Sequence, residues 1–129
     1  MSAGKNTPIT TDYLTEIVDA FNRHDVDQIV SYFADDGEFY MAHGPEAFGR
    51  RLKGKEEIRD VLAKRFEKIQ DMRWIGEAHW VFGNKALSEW TVQGTMNTGE
   101  RIDWLGCDLW EFQNGKIVKK DTYWKQVVK

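Results

Sequence analysis

Apolar positions along the chain change period once, after Ile69: before it they recur at helical spacing, and beyond it they alternate as in strands. Thr10-Thr11-Asp12 supplies cap-type side chains ahead of Tyr13, Leu14, Ile17, Val18 and Phe21, which predicts a first helix. His24 interrupts it. Asp25 is placed to cap a second helix, whose Val26, Ile29, Val30 and Phe33 fall at i, i+3, i+4 and i+7. Asp35-Asp36-Gly37 ends that helix, and Glu38 to Met41 reads as a short strand. Residues 42–53, with Gly44, Pro45 and Gly49, read as a flap or rim loop. A third helix opens at Gly54-Lys55-Glu56-Glu57, its early acids favourable to the helix dipole, and buries Ile58, Val61, Leu62, Phe66 and Ile69. Strands follow near Arg73–Phe82, Ala86–Thr95, Arg101–Phe112 and Lys116–Val127, separated by Gly83-Asn84, Asn97-Thr98-Gly99 and Asn114-Gly115.

Helices first and then a meander of strands predict an α+β fold, with three N-terminal helices packed on one face of a curved antiparallel sheet. Such a sheet can curl around a cavity, and concave, mostly apolar cavities with a few polar groups are where ligands bind. Residues 1–9 read as a flexible N-terminal arm and 10–129 as a single domain, since 129 residues suffice for one core and not for two.

Charge and composition narrow the partners. Net charge is −3, from 18 basic and 21 acidic residues, so nothing recommends nucleic acid or an anionic membrane. The basic run Arg50-Arg51-Leu52-Lys53-Gly54-Lys55 reads as a solvated loop entering a helix. One cysteine excludes an intrachain disulfide, and Cys107 reads as a small apolar filler in a strand. His24, His43 and His79 are scattered: a connector residue, a flap residue and a sheet residue, with no metal triad and no cofactor expected. No stretch approaches the roughly 20 apolar residues of a membrane span, and the expected location is cytoplasmic.

One strand holds a chemical oddity. In Ile102-Asp103-Trp104-Leu105-Gly106-Cys107-Asp108-Leu109-Trp110, side chains repeat every two residues, so Asp108 shares a face with Trp104 and Trp110. An acid on an aromatic face must find a partner, become protonated or face a wet pocket. Tyr13, Tyr40 and Tyr123 are further candidate donors, with amphipathic packing as the default for each.

Several segments together resemble the nuclear transport factor 2-like superfamily, in particular its SnoaL-like and ketosteroid-isomerase-like branch. They are Tyr32-Phe33-Ala34-Asp35-Asp36, Gly54-Lys55-Glu56-Glu57-Ile58, Asp108 to Phe112 with Asn114-Gly115-Lys116-Ile117, and Thr122-Tyr123-Trp124. The resemblance implies a cone-shaped α+β barrel of the NTF2-like, cystatin-like kind, usually a homodimer, with a hydrophobic small molecule in the cone. It does not fix a reaction, because fold and function are separable. The general base of ketosteroid isomerase would fall at Met41 and its oxyanion tyrosine at Ile17, and neither side chain can move a proton. Only the oxyanion-side aspartate is matched, by Asp108. The carboxylate that often follows Tyr-Trp in SnoaL-like proteins is Lys125 here.

Placed on this fold, Glu89, Thr91 and Gln93 are expected inside the cavity with Trp104 and Asp108, and Phe33, Met41, Thr122 and Trp124 complete the pocket wall. The last hairpin sets the partner of Asp108. A two-residue Asn114-Gly115 turn would oppose it to Asp121, and a Gly115 bulge would oppose it to Lys120. Opposed like charges destabilise a sheet, so the bulge register with Lys120 inside is favoured. Asp108 would then be proton donor or oxyanion stabiliser, Lys120 its electrostatic partner and Glu89 a reserve base. The implied chemistry is cofactor-independent isomerisation, cyclisation or dehydration of a hydrophobic carbonyl or hydroxyl compound. The competing reading is a non-catalytic ligand-binding or dimerisation module.

Overall fold

A computed structural model describes residues 8–128. Its helices are α1 (Thr11–Asn22), α2 (Val26–Ser31) and α3 (Lys55–Lys68). Six strands follow the order β1 (Phe33–Tyr40), β2 (Arg51–Lys53), β3 (Arg73–Phe82), β4 (Lys85–Thr95), β5 (Arg101–Gln113) and β6 (Lys116–Trp124) along the chain. Thr10 and Asp25 cap α1 and α2 as the sequence predicts, accepting from the backbone N–H of Tyr13 at 3.1 Å and of Gln28 at 3.1 Å. The expected arm at 1–9 lies outside the described residues except for Pro8 and Ile9, and Ile9 is buried.

All six strands form one sheet, in the spatial order β2-β1-β6-β5-β4-β3. It is mixed rather than wholly antiparallel, because β1 runs parallel to β6. That pairing also shortens α2 and lengthens β1 relative to the sequence expectation. Phe33 pairs with Ile117, and the Ile117 N–H donates to the Tyr32 carbonyl at 2.8 Å. Sheet hydrogen bonds thus take over where helical periodicity still continued. The rim loop likewise contributes β2, which pairs antiparallel with β1 and turns Leu52 into the core.

Helices pack on one face of the sheet. Leu14, Ile17 and Phe21 of α1 and Ile58, Leu62 and Phe66 of α3 meet Phe39, Trp74, Trp90, Trp110, Phe112 and Ile117 of the strands. Asn22 pins the end of α1 to β3: its Nδ2 donates to the Trp74 carbonyl at 3.0 Å and its Oδ1 accepts from the Trp74 N–H at 2.7 Å. Gly106 is obligatory where β5 passes Trp90. A Cβ there would sit 2.6 Å from the indole and 2.6 Å from the Tyr123 carbonyl.

Candidate functional site

The register of β4 on β5 decides which polar groups enter the interior. Ser88 pairs with Asp108, Trp90 with Gly106 and Val92 with Trp104, all facing the helices. Glu89, Thr91 and Gln93 therefore point to the opposite face, where Glu89 is exposed across from Cys107. This corrects the expected inward placement of all three. Strand alternation offers only two faces, and burying Trp90 and Val92 sends the polar set out. Phe33 and Met41 are buried core residues.

The hairpin between β5 and β6 resolves differently from either expected register. Asn114 (φ 55°) and Gly115 (φ 76°) make a two-residue turn that pairs Gln113 with Lys116. A bulge at Val118 then shifts the ladder, so Phe112 pairs with Ile117 but Glu111 with Lys119. Asp108 consequently stands opposite Thr122 and diagonal to Lys120, all on the inner face. The expected partner is reached by a route the turn alone does not show.

Asp108 and Lys120 are 3 % and 4 % exposed, and every oxygen of the acid is answered. Lys120 Nζ donates to Asp108 Oδ1 at 2.9 Å and to Thr122 Oγ1 at 2.8 Å. Thr122 Oγ1 donates to Asp108 Oδ1 at 2.5 Å, and Trp90 Nε1 donates to Oδ2 at 2.9 Å. The ammonium also lies 4.0 Å from the centre of the Phe39 ring, 5.0 Å from Phe21 and 5.6 Å from Trp110, a cation–π cage. Burial pushes the Lys120 pKa down, and Asp108 opposes that shift. Beside this group Trp110 Nε1 donates to Ser88 Oγ at 2.9 Å, and His79 Nδ1 lies 2.7 Å from the same hydroxyl.

A cavity of about 260 Å³ opens between α3 and strands β4–β6. Ile69, Met72, Val92, Met96, Ile102, Trp104 and Trp124 give it apolar walls, and the two indoles meet at 5.4 Å and 50°. Its polar lining is Arg65, His43, Glu100 and Gln126. Trp104 and Trp124 line this cavity, whereas Asp108, Lys120 and Thr122 do not. His43 sits edge-on to Trp124 at 6.0 Å. The tyrosines are engaged elsewhere: Tyr13 donates to the Gly115 carbonyl at 2.7 Å, Tyr40 to Glu38 at 3.1 Å and Tyr123 to Asp121 at 3.3 Å.

Arg65 is the group the sequence reading missed. It falls three residues after Leu62 and four before Ile69, on the buried stripe of α3, and a charge on an apolar stripe is the signal that could have found it. Burial pulls its pKa down to about 10, while Asp108 acts to raise it. Its guanidinium also lies over the Phe39 ring at 5.9 Å. Burial and the carboxylates of Asp108, Glu89 and Asp121 push the Cys107 thiol pKa up, away from the thiolate a nucleophile needs.

Three helices packed on one face of a six-stranded mixed sheet define a small α+β protein. The sequence profile of the SnoaL-like domain matches residues 14–120, and the chain belongs to that family. No curated protein matches it by sequence. Among solved structures it is similar to a provisionally named polyketide cyclase from Xanthomonas campestris pv. campestris, at 19 % identity over 89 % of each chain and TM-score 0.79. A protein provisionally named an isomerase from Bacillus subtilis matches at 18 % identity, over 89 % of this chain and 85 % of that one, with TM-score 0.76. A hypothetical protein of ketosteroid isomerase-like fold from Catenulispora acidiphila, solved with trimethylamine, matches at 17 % identity, 89 % and 86 % coverage and TM-score 0.76. At these identities the likeness establishes the NTF2-like fold alone. Among the described residues no helix is long and apolar enough to cross a membrane.

Proposed function

We propose that the chain binds a small hydrophobic carbonyl or hydroxyl compound in the cavity between α3 and the β4–β6 inner face. The observation that carries this reading is the pairing of an indole-lined wall, Trp104 and Trp124, with a single inward cation, Arg65. Apolar walls supply affinity and a few polar groups supply orientation. Asp108 and Lys120 act beneath the cavity as a positioning pair, since their hydrogen bonds are already used within the protein. An aromatic ketone such as 2-acetylnaphthalene should quench the fluorescence of the wall tryptophans saturably. Met96→Trp, which narrows the cavity, should weaken that binding; unsaturable quenching unaffected by this change would sink the reading.

A second reading, cofactor-independent proton transfer, is favoured by Glu100 and His43 lining the same cavity as Arg65. There the carboxylate or imidazole would carry the proton and Arg65 would stabilise a developing oxyanion. Turnover of a ketone substrate surviving in a Glu100→Gln/His43→Gln double variant would exclude it.

Association of two copies through the outer face of the sheet belongs to the same proposal. Trp80, Leu87 and Leu109 form a cross-strand row there, with Tyr123 and Leu105 beside it. Trp80 and Leu109 are each 45 % exposed and Tyr123 54 %, an apolar patch of the kind that marks an interface. Trp80 is the only one of the six tryptophans on that face. Sedimentation should report a dimer that Leu109→Glu converts to monomer.

A further inference from the structure

Two cations and one anion share the interior. Lys120 pairs with Asp108 at 2.9 Å, and Arg65 stands within the electrostatic reach of both without a hydrogen bond or ion pair to any carboxylate among the described residues. The other titratable groups of the cavity are Glu100 and His43, both exposed at its mouth, where water screens them. The inner end of the cavity therefore carries one positive charge in excess. A partly desolvated guanidinium with no partner is costly, and that cost is recovered when an anion meets its fork of N–H donors.

We infer that Arg65 is a carboxylate-binding subsite, and that the ligand is a small planar aromatic or conjugated acid whose ring lies against Trp104 and Trp124. This deepens the pocket reading above and rests on it. Size supports the choice: about 260 Å³ falls below the ~300–1,000 Å³ of drug-sized sites, which suits one or two rings and not four. Shape supports it too, since the two tilted indoles, 5.4 Å apart, present flat apolar surface to a ring. Arginine meets a planar carboxylate with two parallel hydrogen bonds, a geometry that an ammonium cannot reproduce. Neutral carbonyl compounds would enter the same cavity but leave the excess charge unanswered.

The test compares acids with nearly isosteric neutral ketones: benzoate with acetophenone, cinnamate with benzalacetone, and 2-naphthoate with 2-acetylnaphthalene. Binding is read by tryptophan quenching and calorimetry on the full chain. At least one acid should bind about 10–100-fold more tightly than its ketone, the range set by hydrogen bonds to a charged group. Arg65→Met should remove that preference, weakening the acid far more than its ketone, and Arg65→Lys should restore only part of it. Circular dichroism of each variant controls for folding. Equal affinity of acid and ketone in the wild type would overturn the subsite and leave the pocket reading standing. So would equal loss of both in Arg65→Met relative to a folded Arg65→Lys. Failure of every acid and ketone to bind would overturn the pocket and the subsite together.

Discussion

At the scale of single residues the decisive fact is the contrast between Lys120 and Arg65. Both are cations drawn into the protein, yet Lys120 has a carboxylate, a hydroxyl and three aromatic rings around it, whereas Arg65 has an aromatic ring and a cavity. The first arrangement is closed, and the second is open to a ligand. Removing half of a closed buried pair strands a charge, so Asp108→Asn should destabilise the fold by about 3–5 kcal/mol in denaturant unfolding. The double change Asp108→Leu/Lys120→Met should recover most of that loss, because neither half of the pair is then left stranded. A full loss in the double variant would show that packing, and not charge pairing, dominates. His79 supplies the pH dependence. Burial lowers its pKa from 6.5, so below that pH the unfolded chain takes up a proton that the native state resists, and stability falls. Glu77, 3.8 Å away and with its pKa raised by burial and by Asp19, acts in the opposite sense on acidification. The drop in Tm between about pH 7.5 and 5.5 should accordingly be shallower in His79→Gln than in the wild type.

At the scale of elements the last hairpin controls the interior. Its two-residue turn is legible in Asn114-Gly115, but the bulge at Val118 moves the register on and keeps Lys120 on the face of Asp108. The bulge satisfies a demand from across the sheet, where β6 also pairs with β1 and matches Phe39 to Lys120. Gly106 is the corresponding constraint on β5. Gly106→Ala forces the added methyl against Trp90 and the Tyr123 backbone, and should cost about 1–3 kcal/mol by shifting the denaturation midpoint. An unchanged midpoint would mean that the Trp90 indole can yield without loss. Since Trp90 donates to Asp108, the same variant should also disturb the buried network.

For the whole molecule the sheet separates two kinds of surface. Its inner face carries the core, the polar network and the cavity; its outer face carries Glu89, Cys107 and the apolar row of Trp80, Leu87 and Leu109. Where the resemblance would put the base and the phenol of ketosteroid isomerases stand Met41 and Ile17, both buried. Asp108 is engaged by Lys120, Thr122 and Trp90. What remains available to a ligand is Arg65 with its indole wall, a site suited to binding a small acid. Ligand binding of that kind should raise Tm in proportion to the logarithm of ligand excess, and a cavity-narrowing change such as Met96→Trp should reduce the rise.

Periodicity within the chain determined the three helices, five of the six strands and the turn residues, because these depend on neighbours a few residues apart. The SnoaL-like motifs fixed the family for the same local reason. Tertiary structure decided what local pattern leaves open by symmetry. A strand of alternating residues can face either way, and only the burial of Trp90 and Val92 against the helices sent Glu89, Thr91 and Gln93 outward. A ladder can slip by a residue, and only the joint demands of β1 and β5 on β6 placed the bulge at Val118. A charge on a helical stripe can be paired or free, and only the assembled cavity left Arg65 facing space in place of a carboxylate.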